Sequence, residues 1–248
     1  MSLADESKIS VILLDIEGTT TPVDFVSQTL FPYASRKLEV FLREHMQEPE
    51  VRSLLSELRA QHRCDEQQCL QPPAWQEETE ETQFKSTVDY LRWLIARDSK
   101  CTPLKALQGK IWQEGYARAE LRGEVFEDVP RAFTRWRQQR REISIYSSGS
   151  VLAQRLLFRT TKFGDLTQYI SGFFDTQTGA KNEVASYRKI AVSLGRVPAE
   201  VFFLSDAVKE VDAALSAGMR AALCVRNPQS PNAGSFTLIH SFDELFPI

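Results

Sequence analysis

The residues most used for redox and histidine-based chemistry are scarce in this sequence. Its 248 residues include four cysteines and three histidines. Cys64, Cys69, Cys101 and Cys224 lack paired zinc-ligand spacing, and no histidine stands in register beside Cys64 and Cys69. A redox or metal role is not expected of them, and all four read as reduced thiols of a cytoplasmic protein. His45, His62 and His240 are scattered and leave little room for histidine catalysis. Long apolar runs are missing as well. None approaches membrane-spanning length, and Met1 to Lys8 is polar and acidic, without the apolar core of a secretory signal. Neither sign of charge dominates: 30 Lys and Arg face 33 Asp and Glu, a formal net charge of -3. Nucleic acid and membrane surfaces are therefore not expected partners, although a local phosphate site would not register in the total. The near-neutral charge and the absence of heptads point to a monomer.

What the sequence does contain is enough apolar residue, 42% with 15 Phe, to bury a substantial core. Four short, nearly continuous apolar runs read as parallel strands covered on both faces: Ser10 to Leu14, Ile143 to Tyr146, Val201 to Leu204 and Ala221 to Val225. Helical patterns flank the later ones, at Val129 to Gln139, Val151 to Phe158, Glu183 to Leu194 and Lys209 to Ala217, the last ended by Gly218. This alternation predicts an α/β fold with a doubly wound parallel sheet.

The stretch from Thr21 to about Glu127 breaks the rhythm. Helices are expected at Phe25 to His45, Glu50 to Gln61, Thr79 to Asp98 and Pro103 to Ala119, where apolar residues such as Val88, Leu91 and Ile95 recur at helical spacing. The expected division is a core of residues 1–21 and 128–248 with a helical cap at 22–127. Cys64 to Gln83, with Pro72-Pro73 and the acidic run of Glu77, Glu78, Glu80 and Glu81, reads as a solvated loop leading into the next helix. Asn227 to Ser235 reads as a second surface loop. The cap is expected to act as a lid, with Trp112 and Tyr116 either lining a pocket or packing in the helical bundle. Trp93 is expected in the core.

In a parallel sheet, ligands sit beyond the carboxyl ends of the strands, near the point where strand order reverses. Asp15, Ser147 and Asp206 each fall at such an end. A phosphate monoester is a dianion, so a carboxylate can approach phosphorus only with compensating cations. Asp15, Glu17 and Asp206 can supply the oxygen ligands that Mg²⁺ prefers, with Asp15 as the attacking group. Ser147 can donate to a phosphoryl oxygen, and the amides of Ser148 to Ser150 open a helix where an anion could rest. Lys181, after the Gly179 turn, is best placed to supply a fixed cation; Lys189 and Lys209 lie inside helical patterns.

Asp15-Ile16-Glu17-Gly18-Thr19-Thr20, Ser147, Lys181 and Ser205-Asp206 match in order the four motifs of the haloacid dehalogenase superfamily. The fuller string Leu14 to Pro22 resembles the enolase-phosphatases (acireductone synthases) of methionine salvage. So do Tyr146-Ser147-Ser148-Gly149-Ser150, Leu107-Gln108-Gly109 with Trp112, and Phe173-Phe174-Asp175-Thr176. Glu17 stands where phosphatases of the superfamily usually carry Asp, and phosphonatases Ala. The resemblance implies a Rossmann-like core with an inserted helical cap and a Mg²⁺-dependent bifunctional enzyme. Its substrate would be a small phosphate ester, 2,3-diketo-5-methylthiopentyl-1-phosphate, first enolised and then dephosphorylated to 1,2-dihydroxy-3-keto-5-methylthiopentene. It implies that Ser147, Ser148 and Lys181 bind substrate and that Asp15, Glu17 and Asp206 hold the metal. Glu17 could also protonate the leaving oxygen. For the enolisation base, Glu17 and a neutral Lys181 both stand, the latter needing a depressed pKa. Another superfamily hydrolase, phosphonatase-like or acting on sugar phosphates, and a non-enzymatic phosphometabolite-binding protein are the competing readings.

Overall fold

The computed structural model describes residues 6–97, 99, 101–226 and 236–247; the loop expected at Asn227 to Ser235 lies outside them. The chain divides into two compact units, one of Met1–Val26 with Arg122–Ile248 and the other of Ser27–Leu121.

The first unit carries a six-stranded sheet in the order β3-β2-β1-β4-β5-β6. The strands are β1 (Val11–Leu14), β2 (Glu142–Tyr146), β3 (Ile170–Phe174), β4 (Val201–Ser205), β5 (Arg220–Cys224) and β6 (Leu238–Ile239). Every pairing is parallel. The register sets Leu14 against Ile145 on one side and Leu204 on the other. Strand order reverses about β1, so the crevice beyond Leu14 opens between β1 and β4.

Four helices flank the sheet: α5 (Asp128–Gln138), α6 (Val151–Arg159), α7 (Val184–Ser193) and α8 (Val208–Ser216). Period-two alternation sends neighbouring residues of each strand to opposite faces. On one face Val11, Leu13, Tyr146, Val201 and Phe203 pack with Tyr187 and Ile190 of α7 and Ala213 and Ala214 of α8. On the other, Phe202 meets Phe246 with ring centroids 5.6 Å apart, and Trp136 of α5 meets Phe242 at 5.4 Å. Both faces are covered, which is why the strand sequences read as apolar runs instead of alternating. β3 and β6 escaped the sequence reading for the opposite reason. Ile170–Phe174 has no fully buried residue, and β6 is two residues long at the sheet edge.

The second unit is helical: α1 (Phe31–His45), α2 (Pro49–Gln67), α3 (Glu80–Ala96) and α4 (Thr102–Ala117), with π-helical turns at Phe25–Leu30 leading into α1. Pro at the first turn of α2 and α4 removes a donor that would have no partner there. Thr79 caps α3 by accepting from Thr82 N. The expected loop from Cys64 begins later than its sequence suggests, because α2 continues through Gln67. What extends it is a polar anchor inside the bundle. Tyr90 OH donates to Asp65 at 2.7 Å, and fully buried His62 meets the Pro73 carbonyl at 2.7 Å. Trp93 is half-exposed and stacks on Tyr90 instead of entering the core. Trp112 and Tyr116 are buried packing residues, Trp112 donating its indole N–H to the Leu30 carbonyl at 2.9 Å. Among the described residues no helix is long and apolar enough to cross a membrane, and all four cysteines are free.

Candidate active site

Three strand ends and one turn build the site. Asp15 leaves β1 with its backbone still in the ladder, its N–H donating to the Leu204 carbonyl at 2.9 Å. Its side chain is buried, 5% exposed, which is unusual for a carboxylate and demands partners. Lys181 Nζ donates to Oδ1 at 2.5 Å, and Ser205 Oγ lies 3.4 Å from Oδ2. The chain then turns at Gly18 (φ +70), and the amides of Thr19, Thr20 and Thr21 all return to the Ile16 carbonyl. Thr20 Oγ1 closes the turn onto the Asp15 carbonyl at 3.1 Å. The glycine is required twice over. Its left-handed backbone disfavours any side chain, and a Cβ there would run into the carboxylate of Asp206.

Lys181 is delivered by the turn after β3. Gly179 takes a positive φ of +149, and a Cβ there would strike Ser186 Oγ. The carbonyls of this turn are tied down by Tyr146 OH on Gly179 at 2.9 Å, Ser186 Oγ on Ala180 at 2.8 Å and Tyr187 OH on Lys181 at 2.6 Å. The lysine side chain, 11% exposed, lies between two carboxylates, Asp15 at 2.5 Å and Glu210 at 2.7 Å. Burial alone would lower its pKa; the charges of Asp15 and Glu210 more than offset this and hold the ammonium above its ordinary value. That direction is opposite to the depressed pKa a neutral Lys181 base would need.

Glu210, at the first turn of α8, was missed in the sequence. It lies 2.7 Å from Ser205 Oγ as well as from Lys181. Its spacing from Asp206 is the signal: four residues on, it returns to the same side of the chain as the strand end. Burial and the Asp15 charge push its carboxyl upward.

Asp206 follows β4 and keeps a solvent-open face. Crowding by protein atoms, then the charges of Asp15 and Glu210, push its carboxyl up to about 7. Glu17 contributes to the same rise, so Asp15, Glu17, Asp206 and Glu210 form one electrostatic group with Lys181 as its cation. Hard oxygen donors in excess of the positive charge among them are a donor set that could accept a divalent cation. Asp15, Glu17 and Asp206 are the residues that would hold the ion.

Ser147 leaves β2 at the same edge, its N–H donating to the Phe174 carbonyl at 3.1 Å, and is 4% exposed. Its Oγ accepts from Gly149 N at 3.2 Å, which leaves the hydroxyl proton available to an incoming acceptor. Ser150 caps α6 through Ala153 N at 3.3 Å, and Ser148 lies between the strand end and this cap. Gln154 secures the turn by donating to the Gly149 and Phe174 carbonyls, each at 2.8 Å. Of the expected cation candidates, Lys189 reaches the Thr178 carbonyl at 3.4 Å, and Lys209 is exposed.

Two further features lie within the helical unit. A cavity of about 410 Å³ is lined by Leu42, Arg52, Arg59, Trp75, Phe84 and Thr87, among others. Glu44, His45 and Glu114 bring potential ligand atoms within 4.8 Å of one another. Arg118 at 3.3 Å from Glu114, and the pairing of His45 with Glu48 at 2.7 Å, already meet the charge of that cluster from within the protein.

The profile of the haloacid dehalogenase-like hydrolases matches residues 9–218. A Synechococcus elongatus protein named enolase-phosphatase E1 is 47% identical over 96% of this chain and 98% of its own. A Drosophila erecta protein of the same name is 41% identical over 98% of this chain and 94% of its own. Among solved structures, the Saccharomyces cerevisiae UTR4 protein superposes with a TM-score of 0.77 at 31% identity, over 96% of this chain and all of that one.

Proposed function

The chain belongs to the haloacid dehalogenase-like hydrolases and, among them, to the enolase-phosphatases, and from that premise we propose a Mg²⁺-dependent enzyme of methionine salvage. It enolises 2,3-diketo-5-methylthiopentyl-1-phosphate and then hydrolyses the enol phosphate to 1,2-dihydroxy-3-keto-5-methylthiopentene and phosphate. The observation that carries the reading is the buried Asp15 carboxylate at the end of β1, held between Lys181 and Ser205 with Asp206 at the neighbouring strand end.

Asp15 is the nucleophile. Its ion pair with Lys181 and its anchoring at the strand end fix the carboxylate for attack on an incoming phosphorus. The P–O bond to the enol oxygen breaks as the Asp15–P bond forms, and water then hydrolyses the aspartyl-phosphate. Ser147 and Ser148 hold phosphoryl oxygens, and Lys181 donates to them as charge builds in the transition state. Mg²⁺, when bound, supplies charge compensation for the phosphoryl group and polarises the substrate carbonyl. In the enolase half the base must remove a proton from the carbon bearing the phosphate ester. The raised pKa of Lys181 favours Glu17 for that task. Glu17 passes that proton to the neighbouring carbonyl oxygen to give the enol and, reprotonated from solvent, donates to the leaving oxygen and then takes a proton from the attacking water.

The test offers the diketone phosphate to the wild type and to Asp15→Asn, with ultraviolet detection of the enol and a separate assay for phosphate. The wild type should show a transient enol followed by phosphate. Asp15→Asn should form the enol and release no phosphate. Phosphate release without any enol signal would leave a superfamily phosphatase of different substrate, and turnover by Asp15→Asn would remove the nucleophile assignment.

A further inference from the structure

Arg226, two residues beyond β5, reaches the catalytic turn from a distant part of the sequence. Its guanidinium donates twice to one backbone oxygen, the carbonyl of Thr19, from Nε at 3.0 Å and from Nη2 at 2.8 Å. The remaining nitrogen, Nη1, pairs with Asp128 at 2.5 Å and lies 3.4 Å from the His240 carbonyl. Asp128 cannot swing away, because the same oxygen accepts from Ser241 Oγ at 3.0 Å and Phe242 N at 2.6 Å. The guanidinium carbon is 4.4 Å from the ring centroids of both Phe126 and Phe242. At 12% exposure the side chain is desolvated, and each of its three nitrogens meets a fixed acceptor.

Thr19 has no side-chain part in the chemistry derived above; its carbonyl belongs to the turn that connects Asp15 and Glu17 to Thr21. In that turn the Thr19–Thr20 peptide is held at both ends, its oxygen by Arg226 and its N–H by Ile16. The next peptide is held likewise, with the Thr20 carbonyl accepting from Phe126 N at 3.0 Å and Thr21 N donating to Ile16. Gly18 N in turn donates to the Thr21 carbonyl at 2.8 Å, so the pinned return limb fixes the limb that carries Glu17. A planar fork with two parallel donors fixes the direction of a carbonyl, which a single ammonium cannot do.

We propose that Arg226 is a positioning residue for the reaction: clamped by Asp128, Phe126 and Phe242, it fixes the Thr19 carbonyl and so sets Glu17 and Asp15 in register for proton transfer and phosphoryl transfer. The inference rests on the proposed phosphatase reading of the Asp15 site and adds a residue that makes no contact with the reacting groups.

The experiment compares full-length wild type with Arg226→Lys, Arg226→Met and Arg226→Ala at saturating Mg²⁺, each kept well below its own melting temperature. Phosphate release is followed from both the diketone phosphate and p-nitrophenyl phosphate. Arg226→Lys keeps the charge and Arg226→Met the apolar stem. Both should lose about 100-fold in kcat, the scale of a misplaced catalytic group, with KM little changed. Millimolar guanidinium should restore part of the kcat of Arg226→Ala, because the two phenyl rings and Asp128 remain to receive it, whereas equal methylammonium should not. A role confined to folding predicts the reverse: a lowered melting temperature, wild-type kcat in the folded fraction and no guanidinium effect. Wild-type kcat in folded Arg226→Met would overturn the proposal. If the wild type hydrolyses only p-nitrophenyl phosphate, the substrate reading fails and the Arg226 comparison stands on that ester. If it hydrolyses neither, calorimetric Mg²⁺ titration decides: weaker binding by Arg226→Met supports the clamp, and equal binding removes it.

Discussion

Glu210 and Lys181 meet at 2.7 Å, and the same ammonium lies 2.5 Å from Asp15. The lysine is thus steered by one carboxylate toward another, and its position is set by α8 as much as by its own turn. Glu210→Gln keeps the shape and removes the steering charge. We expect kcat for phosphate release to fall on the order of 10- to 100-fold through misplacement of Lys181. The loss of stability should be modest, because Lys181 keeps Asp15 as a counter-charge and no buried charge is left unpaired. Steady-state kinetics with a thermal melt separates the two effects; an unchanged kcat would show that Asp15 alone holds the lysine.

The second prediction concerns pH. Asp206 has an ordinary value of 3.8 and is pushed up to about 7 in the fold. A folded pKa above the unfolded one means that this group's contribution to stability is fully present below about 3.8 and is lost as pH rises through about 7. Metal-free protein should therefore lose melting temperature from this group between pH 5 and about 7.5, a window that brackets the folded pKa. Added Mg²⁺ requires the ionised carboxylate and should reverse the trend, with binding tightening over the same window and releasing a proton. Melts across that range with and without Mg²⁺ give the sign directly.

Gly18→Ala tests the close approach of the turn to Asp206. The added methyl meets both a left-handed backbone and the Asp206 carboxylate. A cost of about 1–2 kcal/mol is expected from the backbone alone. Displacement of Asp206 should add a loss of Mg²⁺ affinity that a purely conformational penalty would not produce. Calorimetric titration of the folded variant measures it.

Among the described residues, the buried hydroxyl of Thr21 has no hydrogen-bond partner. Its backbone is fully used by the turn, with Thr21 N on Ile16 and Gly18 N on the Thr21 carbonyl. Thr21→Val keeps the shape and the backbone bonds while removing the unmet polar atom. Stability should stay level or rise by up to about 1 kcal/mol, with kcat unchanged. A loss of activity would show that the hydroxyl serves the reaction.

The sheet was legible wherever burial on both faces made a strand continuously apolar. Val11–Leu14 and Val201–Ser205 fall within a residue of the expected runs. β3 was hidden because an outer strand with half-exposed side chains has no such run. In the helical unit the pattern located every helix but not the end of α2, which is held by the contacts of His62 and Asp65, far apart in sequence from Tyr90. Asp15, Ser147 and Asp206 could be read because strand ends are local features. Glu210 and Arg226 could not, since each acts through a partner supplied by another part of the chain, Lys181 for the first and the Thr19 carbonyl for the second.

The strand that carries Asp15 is flanked on both sides by strands far from it in sequence. Val11 pairs with Glu142 on one side and Val201 on the other, so β1 waits for segments made much later. Contacts of that separation carry a large loop-closure entropy and form slowly. Local helices can assemble early, while the nucleophile's surroundings exist only after the two remote strands β2 and β4 have closed onto β1. During refolding, phosphatase activity should therefore return with the slowest phase, well after the circular-dichroism signal of the helices. A chain still emerging during synthesis would carry an incomplete site around Asp15 until the segment that reaches Glu210 and Arg226 had been made.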